Sequence, residues 1–183
     1  MGPRPLDAIA RLADACGPKL IVQIRERDLP ARDILQWIDA LLPLAERSGC
    51  LIMVNARVDV ALCFGTVGVH LPEAGLPIEI ARELLGPTRR IGASRHTADG
   101  ARDAAHRGAD LVTISPIFAS PKFGVSPPTL GVAGLEETVA AVGAEAAVKH
   151  VVTGVAGEDI VEGVAGGVDV GQAGEGQVLE IVA

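Results

Sequence analysis

The sequence predicts an α/β protein with a parallel sheet, wound as a (β/α)8 TIM barrel that lacks its first strand or is truncated there. One domain over residues 1–183 accounts for the whole length. Three observations carry this expectation. Short continuous runs of Val, Ile and Leu alternate with Ala-rich amphipathic segments, as in parallel strands covered by helices on both faces. No G-x-G-x-x-G follows the first apolar run, so a dinucleotide-binding open sheet lacks its fingerprint. Polar, reactive side chains collect where the apolar runs end, which is where a barrel carries its chemistry.

Taken in order, the chain opens on a helical pattern, "LDAIARLADAC", with no strand before it. The first strand expected is "KLIVQIR" (Lys19 to Arg25), followed by an amphipathic helix over Arg32 to Arg47. "CLIMVN" (Cys50 to Asn55) is the next strand, and "VDVALCFG" a short helix closed by Gly65. "VGVHL" (Val67 to Leu71) leads to "LPIEIARELLG", where Pro77 stands near a helix start and Gly86 at its stop. "RIGAS" (Arg90 to Ser94) precedes "TADGARDAAHRG", with Thr97 as N-cap. "DLVTISPIF" (Asp110 to Phe118) and "VKHVVTG" (Val148 to Gly154) are further strands, and "GVDVGQA" (Gly167 to Ala173) a weak one. Leu135 to Val142 and Glu158 to Val164 read as helices. Seven strands are one short of a closed barrel. An edge left open before the first strand would invite dimerisation or aggregation, so a homodimer is a candidate assembly.

Composition narrows the function classes. The net charge of −7 argues against a general binder of nucleic acid or anionic membrane, although local basic groups can still hold a phosphate. Aromatic residues are 2% of the chain, so base or sugar stacking is not the main recognition mode. No uncharged segment reaches the about 18 apolar residues of a membrane span, and no signal peptide is evident. Cys16, Cys50 and Cys63 lie far apart in apolar contexts without zinc spacing. Buried free thiols are the expectation, which points to the cytoplasm.

The strand ends supply the candidate site. Gln23, Arg25 and Arg27 alternate in "QIRER" and so share a strand face; if it is the inner face, two guanidiniums converge on the mouth and can grip phosphate or carboxylate. Asn55 suits either a hydrogen bond to a heterocycle or a cap on the next helix. The lone His70 reads as structural. In "IGASRHT", Ser94 and His96 share a side if the chain stays extended, and an imidazole suits proton transfer near neutrality. No local carboxylate orients His96, and no Ser-His-Asp triad can be assembled. Lys122, in the loop "SPIFASPKFG", can reach an anion from a lid over the mouth. Thr153 and Gly154 begin a strand-to-helix turn of the kind that cradles phosphate, although Glu158 and Asp159 compete for the same helix N-terminus.

The ordered set "QIRER … VNARVDVA … VGVHL … IGASRHT … GADLVTISPIFASPK … LG" resembles the thiamine-phosphate synthase/TenI family, whose members are (β/α)8 barrels. Each piece is short; their order and spacing make the match specific. The resemblance implies a synthase that couples an aminopyrimidine diphosphate to a thiazole phosphate, with Mg2+ on the diphosphate. It would place Gln23, Arg25, Arg27, Asn55, Ser94 and Lys122 around the pyrimidine diphosphate. Two carboxylates of the family pattern are replaced here, by Ala56 after the strand-tip Asn and by Gly75 within "LPEAG". Magnesium depends on oxygen ligands of that kind.

TenI-type members also lack much of that metal site, and they aromatise a thiazole carboxylate phosphate by moving a proton. The histidine of their I-G-x-S-x-H motif matches His96. The first expectation is therefore a metal-independent tautomerase, with no cofactor, His96 as acid/base, and Arg25, Arg27 and Lys122 near the ligand. The alternative is a thiamine-phosphate synthase using Mg2+. A third reading is a non-catalytic ligand-binding relative, favoured by Ala56, Gly75 and a carboxylate, Glu175, where the family has a second phosphate turn. Each takes small-molecule phosphates, with no nucleic acid and no membrane as partner.

Overall fold

In a computed structural model, residues 5–25, 28–118, 128–143, 150–153, 161–162 and 177–181 are described. The chain begins with α1 (Pro5–Cys16) and a 3-10 turn, then β1 (Leu20–Ile24), α2 (Ala31–Ser48), β2 (Leu51–Asn55), α3 (Val58–Leu62) and β3 (Gly68–Leu71). It continues with α4 (Ile78–Leu85), β4 (Ile91–Arg95), α5 (Ala98–His106), β5 (Leu111–Ile114), α6 (Gly131–Gly143) and β6 (His150–Thr153). Two further strands are β7 (Val161–Glu162) and β8 (Gln177–Ile181).

β1 to β6 run parallel in sequence order, each joined to the next through helical chain, so the sheet curls as a truncated barrel. The edge of β1 expected to be open is not open. β8 pairs with it in parallel, from Leu20 opposite Gln177 to Ile24 opposite Ile181. β7 then adds antiparallel to β8, so Val161 and Glu162 form a strand where a helix over Glu158 to Val164 was expected. β-Branched valine at this pairing position favours the ladder over a lone helical turn. The expected strand over Gly167 to Ala173 lies outside the described residues. So do the loop containing Lys122, and Arg27, Gly154 and Glu175.

Strand alternation sorts the side chains into two environments. Leu20, Val22, Ile52, Val54, Val69, Leu71, Ile91, Ala93, Val112 and Ile114 face the helices and belong to the main core. They meet buried Ile34, Ile38, Leu41 and Leu44 of α2, Ala81 and Leu85 of α4, and Ala101, Ala104 and Ala105 of α5. The alternate positions point inward. Met53 and Leu111, with Ile21 against them, form a separate small cluster there. Small alanines on α5 let that helix lie close to the sheet.

The helix boundaries have local causes. α2 stops at Gly49, whose φ of 78° is the left-handed conformation that glycine adopts cheaply. Thr97 caps α5 as expected, its side chain accepting from the Gly100 amide at 3.0 Å. The strand expected from Asp110 to Phe118 ends at Ile114, before Pro116, which has no amide N–H for a ladder. None of the three cysteines is in a disulfide, but their burial is uneven: Cys50 is buried, Cys16 half-buried and Cys63 exposed. Cys63 follows the short α3, where the chain turns out toward solvent. Among the described residues, no helix is long and apolar enough to cross a membrane.

Candidate active site

The inward rows become polar toward the C-terminal ends of the strands. Asn55 of β2 stands opposite His70 of β3, which stands opposite Gly92 of β4. Ser94 stands opposite Thr113 of β5. Gln23 lies on β1 opposite Met53, one layer below Asn55. Parallel register puts laterally paired residues on one face, so these side chains share the inner floor of the curled sheet.

Their contacts are mutual. Gln23 Nε2 donates to Asn55 Oδ1 at 3.3 Å, which explains how two amides are accommodated in the barrel interior. Asn55 is thus engaged across the sheet rather than capping α3, whose N-cap is Arg57. His70 Nε2 lies 2.8 Å from Ser94 Oγ and 3.4 Å from Thr113 Oγ1. The Ser94 hydroxyl therefore meets His70 and not His96, the partner suggested by extending the strand. His70 is buried, and burial is the main force holding its imidazole down to about 4, with the charges of Arg25 and Arg95 adding to it. Arg25, one residue beyond β1, is thus electrostatically close to this floor.

His96 sits higher, at the rim. Its Nδ1 bonds the Ser115 carbonyl of the neighbouring strand end, and Nε2 lies 3.7 Å from Glu73 Oε2. Both side chains are about half exposed. Glu73 thus supplies the carboxylate that the sequence around His96 lacks. Arg95 folds back to donate to the Ser94 carbonyl at 2.6 Å, and partial burial lowers its basicity. Thr153 ends β6 in register with Ile114.

Sequence reading missed His70 and Thr113 as floor residues and Glu73 as the neighbour of His96. His70 and Asn55 do share inward parity, but that signal appears only once the β2/β3 register is known. Glu73 comes from the following loop, and nothing in local spacing ties it to His96.

Residues 5–171 match the family described as thiamine monophosphate synthase. The chain belongs to that family. Among its curated relatives, the thiamine-phosphate synthase of Methanoculleus marisnigri is 41% identical over 73% of this chain, and that of Chlorobium phaeovibrioides 39% identical over 68%. The chain spans 63% and 59% of those two proteins' lengths. Among solved structures, the thiamine phosphate pyrophosphorylase from Pyrococcus furiosus superposes with a TM-score of 0.65 at 29% identity. That match covers 82% of this chain and 68% of the other.

The magnesium of the family resemblance does not fit the residues present. Ala56 and Gly75 offer no side-chain oxygen. Asp59, the next carboxylate along, is held by Arg57 through bonds of 2.8 and 2.6 Å. Among the described residues, no group of three or more His, Cys, Asp or Glu side chains could hold a metal ion.

Proposed function

We propose that this chain is a thiamine-phosphate synthase type of transferase, acting on an aminopyrimidine diphosphate and a thiazole phosphate. In the reaction a C–O bond to the diphosphate breaks, a C–N bond to the thiazole forms, and pyrophosphate leaves. One observation carries the reading: an uncharged hydrogen-bonding floor, Gln23, Asn55, His70, Ser94 and Thr113, lies within electrostatic reach of Arg25 at the end of β1. A neutral heterocycle with donors and acceptors suits the Gln23 and Asn55 amides, and its anionic tail suits the Ser94 hydroxyl and Arg25. Synthase names on relatives near 40% identity support the same choice. Arg27, Lys122, Thr153 and Gly154 remain proposed ligand contacts of this reading.

A second reading, thiazole aromatisation, is favoured by His96 alone. Its ring is oriented by a backbone carbonyl and faces a carboxylate at the mouth, a suitable arrangement for a proton shuttle. One assay separates the two. The protein is given both synthase substrates, with magnesium or with a chelator, and separately the non-aromatic thiazole carboxylate phosphate. Thiamine phosphate formation supports the first reading. Aromatisation without thiamine phosphate, at high protein concentration, replaces it with the second.

A further inference from the structure

Among the described residues of the pocket floor, His70 is the buried titratable group to which the chemistry above gives no task. Its surroundings are specific. The ring occupies the space left by the missing side chain of Gly92: a Cβ there would stand 2.5 Å from His70 Nδ1. That contact fixes where the ring can lie. Its other nitrogen, Nε2, falls between two hydroxyls on the next two strands, Ser94 at 2.8 Å and Thr113 at 3.4 Å. Burial keeps the ring neutral near pH 7. A neutral imidazole has one N–H, so its tautomer decides what Ser94 can do. If Nε2 accepts, the Ser94 proton is spent on the ring. If Nε2–H donates, Ser94 Oγ accepts it and keeps its own O–H for a ligand.

We propose that His70 is a positioning residue for the transfer reaction: seated over Gly92, its Nε2–H holds Ser94 Oγ so that the Ser94 hydroxyl donates to an oxygen of the substrate diphosphate. This deepens the synthase reading and rests on it. The hydroxyl is then preorganised, and the bond it receives strengthens the one it gives.

The test has two parts. Long-range nitrogen-15 imidazole spectra of the wild type at neutral pH are expected to show His70 as the Nε2–H tautomer; an Nδ1–H tautomer overturns the proposal. The second part is a double-mutant cycle on thiamine phosphate formation. His70→Leu and Ser94→Ala are each expected to lower kcat by about tenfold to a hundredfold, with KM for the thiazole phosphate little changed. The double variant should be no slower than the slower single. His70→Gln, which can place an N–H near the Nε2 position, should recover about tenfold over His70→Leu. Additive losses, or no recovery with Gln, overturn the proposal, because a merely structural histidine would not couple to Ser94. If the wild type makes no thiamine phosphate, the synthase reading falls by itself. The cycle is then read from the dissociation constant of inorganic pyrophosphate, where coupled losses keep the His70–Ser94 assignment. Additive losses, or no binding by the wild type, remove it.

Discussion

The backbone carbonyl of Ser115 lies 2.5 Å from His96 Nδ1 and ties the tip of β4 to the end of β5. A carbonyl oxygen only accepts, so Nδ1 carries a proton and Nε2 is left to face Glu73. The two proposed activities diverge at this ring. His96→Asn can keep a donor to the Ser115 carbonyl but has no basic nitrogen. Aromatisation should fall by about a hundredfold or more in that variant, the scale of a lost acid/base group. Thiamine phosphate formation should stay within about threefold of wild type. Parallel steady-state assays of both activities check this, and an equal loss in both would mean that His96 serves binding rather than proton transfer.

His70 gives a second prediction, on stability. Its imidazole titrates near 6.5 in the unfolded chain and near 4 when folded, so between these values the unfolded state binds more protons. Stability from this group is therefore complete above the unfolded value and is lost as pH falls through the window. The loss amounts to roughly 3 kcal/mol by the time the pH reaches about 4. Urea unfolding at a series of pH values should show this slope in the wild type and a flatter one in His70→Gln. Identical slopes would mean that the ring already meets solvent in the native state.

Much of the fold could be read from the sequence because parallel strands announce themselves. Leu20 to Ile24, Leu51 to Asn55 and Ile91 to Arg95 are continuous runs bounded by glycine, proline or polar residues, and they are strands. The C-terminal part could not be read in this way. "QVLEI" carries a weak strand signal, and its pairing beside β1 is a long-range choice that no local pattern encodes. The candidate site divides along the same line. Gln23, Asn55 and Ser94 were recognisable from strand-end position and lie on one face of the sheet. The partners that define their chemistry, His70 with Ser94 and Glu73 with His96, depend on lateral register and loop path.

The opposite end of the sheet should carry stability without activity. Asp110, just before β5, accepts from Arg82 at 2.6 Å, from Arg90 at 3.1 Å and from the Ile91 amide at 2.9 Å. Arg82 also donates to the carbonyls of Arg89 and Gly108, each at 2.7 Å. This knot joins α4 to the N-terminal ends of β4 and β5, away from the pocket. Asp110→Ala leaves a half-buried guanidinium and a backbone amide without their acceptor, at a cost of about 2–3 kcal/mol. Denaturant midpoints should show that loss. Turnover per folded molecule should match wild type, and a drop in kcat would couple this end to the site.

Ala56 offers the most direct test of whether magnesium serves the proposed synthase reaction. Its φ is 60°, a left-handed conformation that costs an alanine about 1 kcal/mol. Ala56→Gly should recover most of that in thermal or urea unfolding. Ala56→Asp should cost nothing, because a short acidic side chain tolerates the left-handed region, and it returns a carboxylate to the tip of β2. Gly75 does not permit the same repair: a Cβ there would stand 2.9 Å from the Pro72 carbonyl in a tight turn. A single restored carboxylate is therefore the available experiment. If the loss of an oxygen ligand weakened magnesium on the diphosphate, Ala56→Asp should lower the magnesium concentration giving half-maximal thiamine phosphate formation by about tenfold. Ala56→Gly, equal in backbone relief but without the carboxylate, should leave that concentration unchanged. Matching magnesium curves for wild type and Ala56→Asp would show that this carboxylate is not what the reaction lacks.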